Sequence, residues 1–132
     1  MNFCNTIKIA GTTVTAIRPV VEAALKAEGF GVLTEIDIQA TMKKKLDKEY
    51  LPHIILGACN PVYADKVLSI DPSISTMLPC NVTIRELETG EVEIAAIDPS
   101  VAMGAVGNKD LEVYAQDVNV KLKCVLNSVR IK

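Results

Sequence analysis

Two runs beyond the middle of the chain set the terms for everything else. Cys80–Leu87 and Glu91–Ile97 each alternate apolar with polar residues, and only Glu88-Thr89-Gly90 separates them. Period-two alternation marks strands with one buried face, and so short a glycine-containing connection lets two strands pair only as an antiparallel hairpin. A chain carrying such a hairpin does not form the all-parallel sheet of a doubly wound fold.

The other segments supply the neighbours of that hairpin. Residues 3–9 alternate again, with Phe3, Asn5, Ile7 and Ile9 on one side, and Gly11-Thr12 end the strand. Val14, Ile17, Val21, Ala24 and Leu25 follow helical spacing. Pro19 lies inside that pattern, so the helix either kinks at Pro19 or starts there. Gly29 suits its C-terminal end. Phe30–Ile36 reads as a second strand, and Asp37 as the cap of a helix over 38–50, with Ile38, Met42, Leu46 and Tyr50 in one apolar stripe and Lys43, Lys44 and Lys45 on the solvated side. His53–Cys59 reads as a buried strand, and Asn60-Pro61 as the cap and first residue of a helix reaching about Ser69. After a loop over 71–79 and the hairpin, Asp98-Pro99 opens a helical turn ending near Gly104, and a glycine hinge follows. Asn108 then caps a long helix that carries Leu111, Ala115, Val118, Leu122, Val125 and Val129 down one side.

The order β-α-β-α-β-α-β-β-α, spread over a single domain spanning 1–132, predicts an α+β sandwich. Its sheet is expected to be mixed, because the β-α-β units suggest crossovers, with the helices packed mainly on one face. The other face is left partly uncovered in so aliphatic a chain, and a second subunit is its expected cover.

Composition removes several classes of function. Fourteen lysines and arginines against sixteen acidic residues leave a net charge of −2, and there are only five aromatic residues. Neither a basic field nor stacking platforms are available for nucleic acid. No apolar run approaches the roughly 18 residues that span a bilayer, and the first residues show neither a positive n-region nor an apolar h-region. Four cysteines at 4, 59, 80 and 124 are widely spaced, in a chain large enough to need no disulfides. Free thiols in the cytoplasm are the expectation.

Cys59 and Cys80 draw the chemistry. Cys59 directly precedes the Asn60-Pro61 helix start, where the positive end of the helix dipole favours a thiolate. Cys80 opens the hairpin strand after Pro79 and is again followed by an asparagine, Asn81. Two strand-end segments of this form make the walls of one pocket, whose ligand-binding set would be Cys59, Asn60, Pro61, Cys80 and Asn81. The competing reading makes both cysteines small apolar fillers at crowded strand ends. A metal shared by His53, Cys59 and Cys80 fails on distance. An extended 53–59 segment separates its ends by about 20 Å at roughly 3.3 Å per residue, and no CxxC or HxxxH spacing is present. No metal and no cofactor is expected. Among the acidic residues Glu35, Asp37, Asp65 and Asp98, the second and fourth have ready roles as cap and turn former. Cys4 and Cys124 fall away from the apolar faces and read as surface thiols.

Gly29-Phe30-Gly31-Val32 with Glu35-Ile36-Asp37, then Leu56-Gly57-Ala58-Cys59-Asn60-Pro61, Leu78-Pro79-Cys80-Asn81-Val82 and Ile97-Asp98-Pro99, together resemble the domain-of-unknown-function family 302 (DUF302) over roughly residues 12–128. The resemblance implies an α+β sandwich, a homodimer, a bacterial or archaeal source and no established activity. Pro19 and His53 depart from the family pattern, His53 standing where an aromatic residue is expected. Three functions stay open at this point: a small-ligand-binding or thiol-sensing domain, a cysteine-dependent enzyme acting on a sulfur- or acyl-carrying small molecule with Cys59 as nucleophile, and a structural homodimeric interaction module. Whether the chain is an enzyme is undecided by its residues.

Overall fold

The computed structural model describes residues 2–131 as one sheet with helices on one face and beyond one end. Five strands, β1 (Cys4–Ile9), β2 (Gly31–Asp37), β3 (His53–Cys59), β4 (Cys80–Glu86) and β5 (Val92–Ile97), lie in the order β1-β5-β4-β3-β2. Five helices, α1 (Val14–Ala27), α2 (Ile38–Leu46), α3 (Pro61–Ile70), α4 (Pro99–Gly104) and α5 (Lys109–Arg130), and a 3-10 turn over Pro72–Met77 connect them. The α+β class and the expected hairpin stand. The sheet, however, is antiparallel throughout and not mixed.

The reason is visible in α2. A right-handed crossover needs a helix that packs back on the sheet, and α2 buries none of its residues. It stands off the sheet, so β2-α2-β3 is a long decorated hairpin in which Glu35 faces Leu56 and Ile36 faces Ile55. Of the apolar stripe expected of α2, Ile38 and Met42 are only half-buried, and Leu46 and Tyr50 are exposed, Leu46 at 64%. The helix stops at Leu46, short of the expected residue 50, because Asp47 turns left-handed at its C-cap. By the same logic α3 and the 3-10 turn sit beyond the strand ends, and β4 returns antiparallel beside β3. α1 is a true crossover, leading from β1 at one edge of the sheet to β2 at the other.

α1 and α5 cover one face. Val14, Ile17, Val21, Ala24 and Leu25 from α1 and Val118, Leu122, Val125, Leu126 and Val129 from α5 bury against Leu56, Val82, Ile84, Val92 and Ile94. Fully burying one such side chain contributes about 1.5–3 kcal/mol, so this seam supplies most of the driving force. α1 begins at Val14, with the Thr13 hydroxyl accepting from the Ala16 amide at 3.1 Å, and runs through Pro19. The alternative start at Pro19 is thereby set aside. Thr15, whose carbonyl lacks its amide partner there, is exposed and water can satisfy it.

At its other end α1 closes with Gly29 at φ +88°. The Gly29 amide donates to the Lys26 carbonyl and the Phe30 amide to Leu25. This paired pattern of a left-handed glycine turns the chain sharply and drops Phe30, 2% exposed, into the core.

A second, smaller cluster of Val67, Ile74, Met103, Leu111 and Ala115 fills the space under α3, the 3-10 turn, α4 and the first half of α5. None of the described helices is long and apolar enough to cross a membrane.

Candidate functional site

The two clusters do not fuse completely. Where the ends of β3 and β4 pass under α3 and α5, an apolar slot of about 30 Å³ remains at the seam. Phe30, Ala58 and Val118 border it from the main core, and Val67, Met103 and Ala115 from the smaller one. Cys59, Asn60, Pro79 and Cys80 form its floor, and Tyr63 and Tyr114 stand beside it. At roughly 10–15 Å³ per water, the slot has room for about two waters, and its apolar lining offers them few partners.

Three of the five expected ligand-binding residues meet there: Cys59, Asn60 and Cys80. Asn81 lies outside the slot, exposed, in an adjoining groove of about 200 Å³ that shares Pro79, Cys80, Pro99 and Met103. Strand alternation separates it from Cys80, since successive side chains point to opposite faces. Pro61 is also outside the slot, exposed at the first position of α3.

Asn60 occupies the cap position of α3 without capping it through its side chain. Its Nδ2 donates instead to the Glu28 carbonyl at 3.3 Å, tying the start of α3 to the end of α1. A β-carbon at Gly29 would stand 3.1 Å from that Nδ2, so the glycine lets the asparagine approach. Gly57 plays a similar part on β3. A β-carbon there would strike the Thr34 hydroxyl and come within 2.8 Å of Pro79 Cγ, so the Leu78–Pro79 segment closes over the strand only because residue 57 has no side chain. The peptide bond before Pro79 is cis.

The two thiols are unlike. Cys80 is packed against the core, and burial, reinforced by Cys59 beside it, pushes its thiol up to about 11. It is therefore protonated at neutral pH, a poor nucleophile or metal ligand. Cys59 is half-buried and, like Cys80, free. Cys124 is exposed and Cys4 half-buried, both away from the slot.

His53 sits at the far end of β3, opposite Arg85, so it and Cys59 occupy the two ends of one strand. Burial and the Arg85 charge lower its pKa, partly offset by Glu93. β3 is an interior strand, so His53 caps no sheet edge. Of the acidic candidates, Asp37 accepts from the Ala40 amide at 2.9 Å as the cap of α2, and Asp98 from the Ser100 amide at 2.9 Å as the cap of α4. Glu35 pairs with Arg18 from α1. Asp65 is exposed on α3, where its backbone carbonyl accepts the Ser69 hydroxyl.

Tyr63, Met103 and Tyr114 escaped the sequence reading, and Val118 stood in it only as part of the apolar side of the last helix. Tyr63 lies on α3 among exposed residues, and Tyr114 lies off the apolar seam of α5. The rings meet edge to face with centroids 6.3 Å apart, and the Lys66 ammonium lies 5.6 Å from one centroid and 5.3 Å from the other. The i, i+3 spacing of Tyr63 and Lys66 was the one available signal.

The sequence profile described as Domain of unknown function DUF302 matches residues 6–129. An uncharacterized protein of Aquifex aeolicus (strain VF5) is 29% identical over 112 residues, spanning 84% of this chain and 70% of its own. The crystal structure of an uncharacterized conserved protein DUF302 from Bacillus stearothermophilus superposes with a TM-score of 0.90 at 26% identity, covering 98% of this chain and all of that one.

Proposed function

Since the chain belongs to the DUF302 family, and both relatives are described only as uncharacterized, we propose a function from the slot itself: this is a cytoplasmic binding module for a small apolar ligand, working as a homodimer. The observation that carries the reading is the unfilled seam between two otherwise close-packed clusters, bounded by Cys59, Asn60 and Cys80 and flanked by two tyrosines. Protein interiors normally fill such seams. Here Pro79, part of the floor, is packed against Gly57 with no room to spare, which leaves little freedom for collapse.

A cysteine-dependent enzyme fits less well. A resolving or activating thiol at Cys80 would have to ionise, and burial opposes that. A sensing role through Cys59 alone is compatible with its half-buried position. The structural-module reading makes the slot a packing defect, and then substitutions that fill it should only stabilise.

Support for the dimer comes from the other face. Ile36, which faces Ile55 across β2 and β3, is 47% exposed, and Leu33 on the same strand adds exposed apolar area.

Native mass spectrometry of the protein purified from its own cells tests the reading, beside the same protein carrying Ala115→Leu to fill the slot. A bound small molecule that disappears in the variant supports the module. No adduct in either, with the variant more stable by urea titration, overturns it.

A further inference from the structure

A cation stands next to the slot's lining without forming part of it. Lys66 projects from α3 over Tyr63 and Tyr114, two of the slot's own flanking residues, and none of the ion pairs among the described residues involves it. The residues bordering the slot include no charged side chain at all. An exposed ammonium without a carboxylate partner, held near two rings that line an apolar slot, is free to pair with an anion whose tail enters it. We propose that the ligand is a short-chain carboxylate whose tail enters the slot and whose carboxylate pairs with Lys66. This rests on the binding reading above and specifies the class of ligand.

Size and charge both select within that class. The enclosed volume admits only a few heavy atoms without rearrangement, which favours a short aliphatic tail over an extended acyl chain. Lys66 is a single point charge with three donors, and no arginine borders the slot. Such a site suits a monoanionic carboxylate, whereas a phosphate dianion calls for several donors or a bidentate guanidinium. The tyrosine rings serve a second purpose. By attracting the ammonium they hold it near the rings that line the slot, so the carboxylate meets a positioned partner.

Amide chemical-shift titration of the full chain tests this with acetate, butyrate, hexanoate and octanoate, and with 1-hexanol and hexylamine as neutral and cationic counterparts of hexanoate. Affinity should rise about fourfold per methylene while the tail is entering the slot, from roughly 0.8 kcal/mol per buried CH₂, and then level off. Hexanoate should bind about tenfold tighter than 1-hexanol, and hexylamine weakest. Lys66→Gln should bring hexanoate down to the level of 1-hexanol without moving 1-hexanol itself, and Lys66→Arg should keep most of the difference. Lys66 is exposed, so both variants should fold. Equal binding of hexanoate and 1-hexanol at the slot, or a difference that survives Lys66→Gln, overturns the carboxylate assignment and leaves the binding module standing. If none of the compounds shifts Ala58, Cys80 or Met103, the module itself is wrong.

Discussion

Asn60 stands at the cap position of α3 yet gives its side-chain amide to the carbonyl of Glu28, the C-cap of α1. Asparagine before proline usually serves the helix that follows it, its oxygen accepting from the first amides. Here it fastens that helix to α1, and so fixes one wall of the slot relative to the main core. Asn60→Ala should cost about 1 kcal/mol in urea titration, the ordinary worth of a hydrogen bond. Asn60→Asp separates the two roles, since a carboxylate is a better cap but cannot donate to a carbonyl. It should be no more stable than the alanine variant. An aspartate variant more stable than the native chain would show that capping α3 matters more than the tie to α1.

Gly29 and Gly57 should both resist alanine, for different reasons. At Gly29 the left-handed backbone alone costs about 1–2 kcal/mol, and the approach to Asn60 adds to it. At Gly57 the backbone is ordinary, and the obstacle is Thr34 on one side and Pro79 on the other. Gly57→Ala should therefore destabilise by about 1–3 kcal/mol, as overpacking does. Adding Thr34→Ala should recover only part of that, because Pro79 remains. Full recovery in the double variant would place the whole conflict at Thr34.

Cys80 offers a kinetic prediction. A thiol near 11 carries about one-hundredth of the thiolate of one near 9 at pH 8. Its alkylation by iodoacetamide, followed by peptide mass spectrometry, should be about a hundredfold slower than that of free cysteine. The sign for stability follows from the same shift. Between pH 9 and about 11 the unfolded chain releases the Cys80 proton before the folded one does, so this thiol makes the fold less stable as pH rises through that window. Cys80→Ala should flatten the alkaline limb of a urea-stability profile.

His53 acts in the opposite window. Its folded pKa lies below 6.5, so as pH falls past 6.5 the unfolded chain takes up the proton first. The fold should lose stability from His53 on that side and keep it above pH 7. His53→Gln should reduce the slope between pH 5 and 7, and an unchanged slope would assign the acid limb to carboxylates alone.

The exposed pair of β2 speaks to assembly. Ile36→Lys should leave the fold intact, since Ile36 is 47% exposed and lies on the face away from α1 and α5. In sedimentation velocity it should convert a dimer to a monomer. A dimer that survives both Ile36→Lys and Leu33→Lys uses some other surface.

How much of this was legible beforehand differs from element to element. The bounds of β3, His53–Cys59, and the seam of α5 from Leu111 to Val129 follow directly from apolar spacing, because both segments bury one side in the main core. β2 and α2 carry patterns of the same strength and bury almost nothing. Spacing reports which residues can share a face, not whether anything lies against it. The antiparallel course of β2 and β3 was out of reach for the same reason, since it depends on α2 failing to pack. In the slot, Cys59, Asn60 and Cys80 stood out because each lies at a strand end beside a proline or helix signal. Tyr63, Met103, Tyr114 and Val118 belong to three helices that only the antiparallel return of β4 gathers over the same strand ends.

The position of β1 bears on how the chain comes to be folded at all. Its ladder is with β5, Ile9 opposite Val92 and Cys4 opposite Ile97. A ribosome adding about 5–20 residues per second delivers β1 several seconds before the strand it pairs with exists. α1 meanwhile has no completed sheet to lie on, and α5, its neighbour on that face, is made only after all five strands. Contacts of such sequence separation are slow to close. The hairpin β4–β5 and its neighbour β3 are thus the natural nucleus, and β1, made well before its partner strand, is among the last elements to find its place.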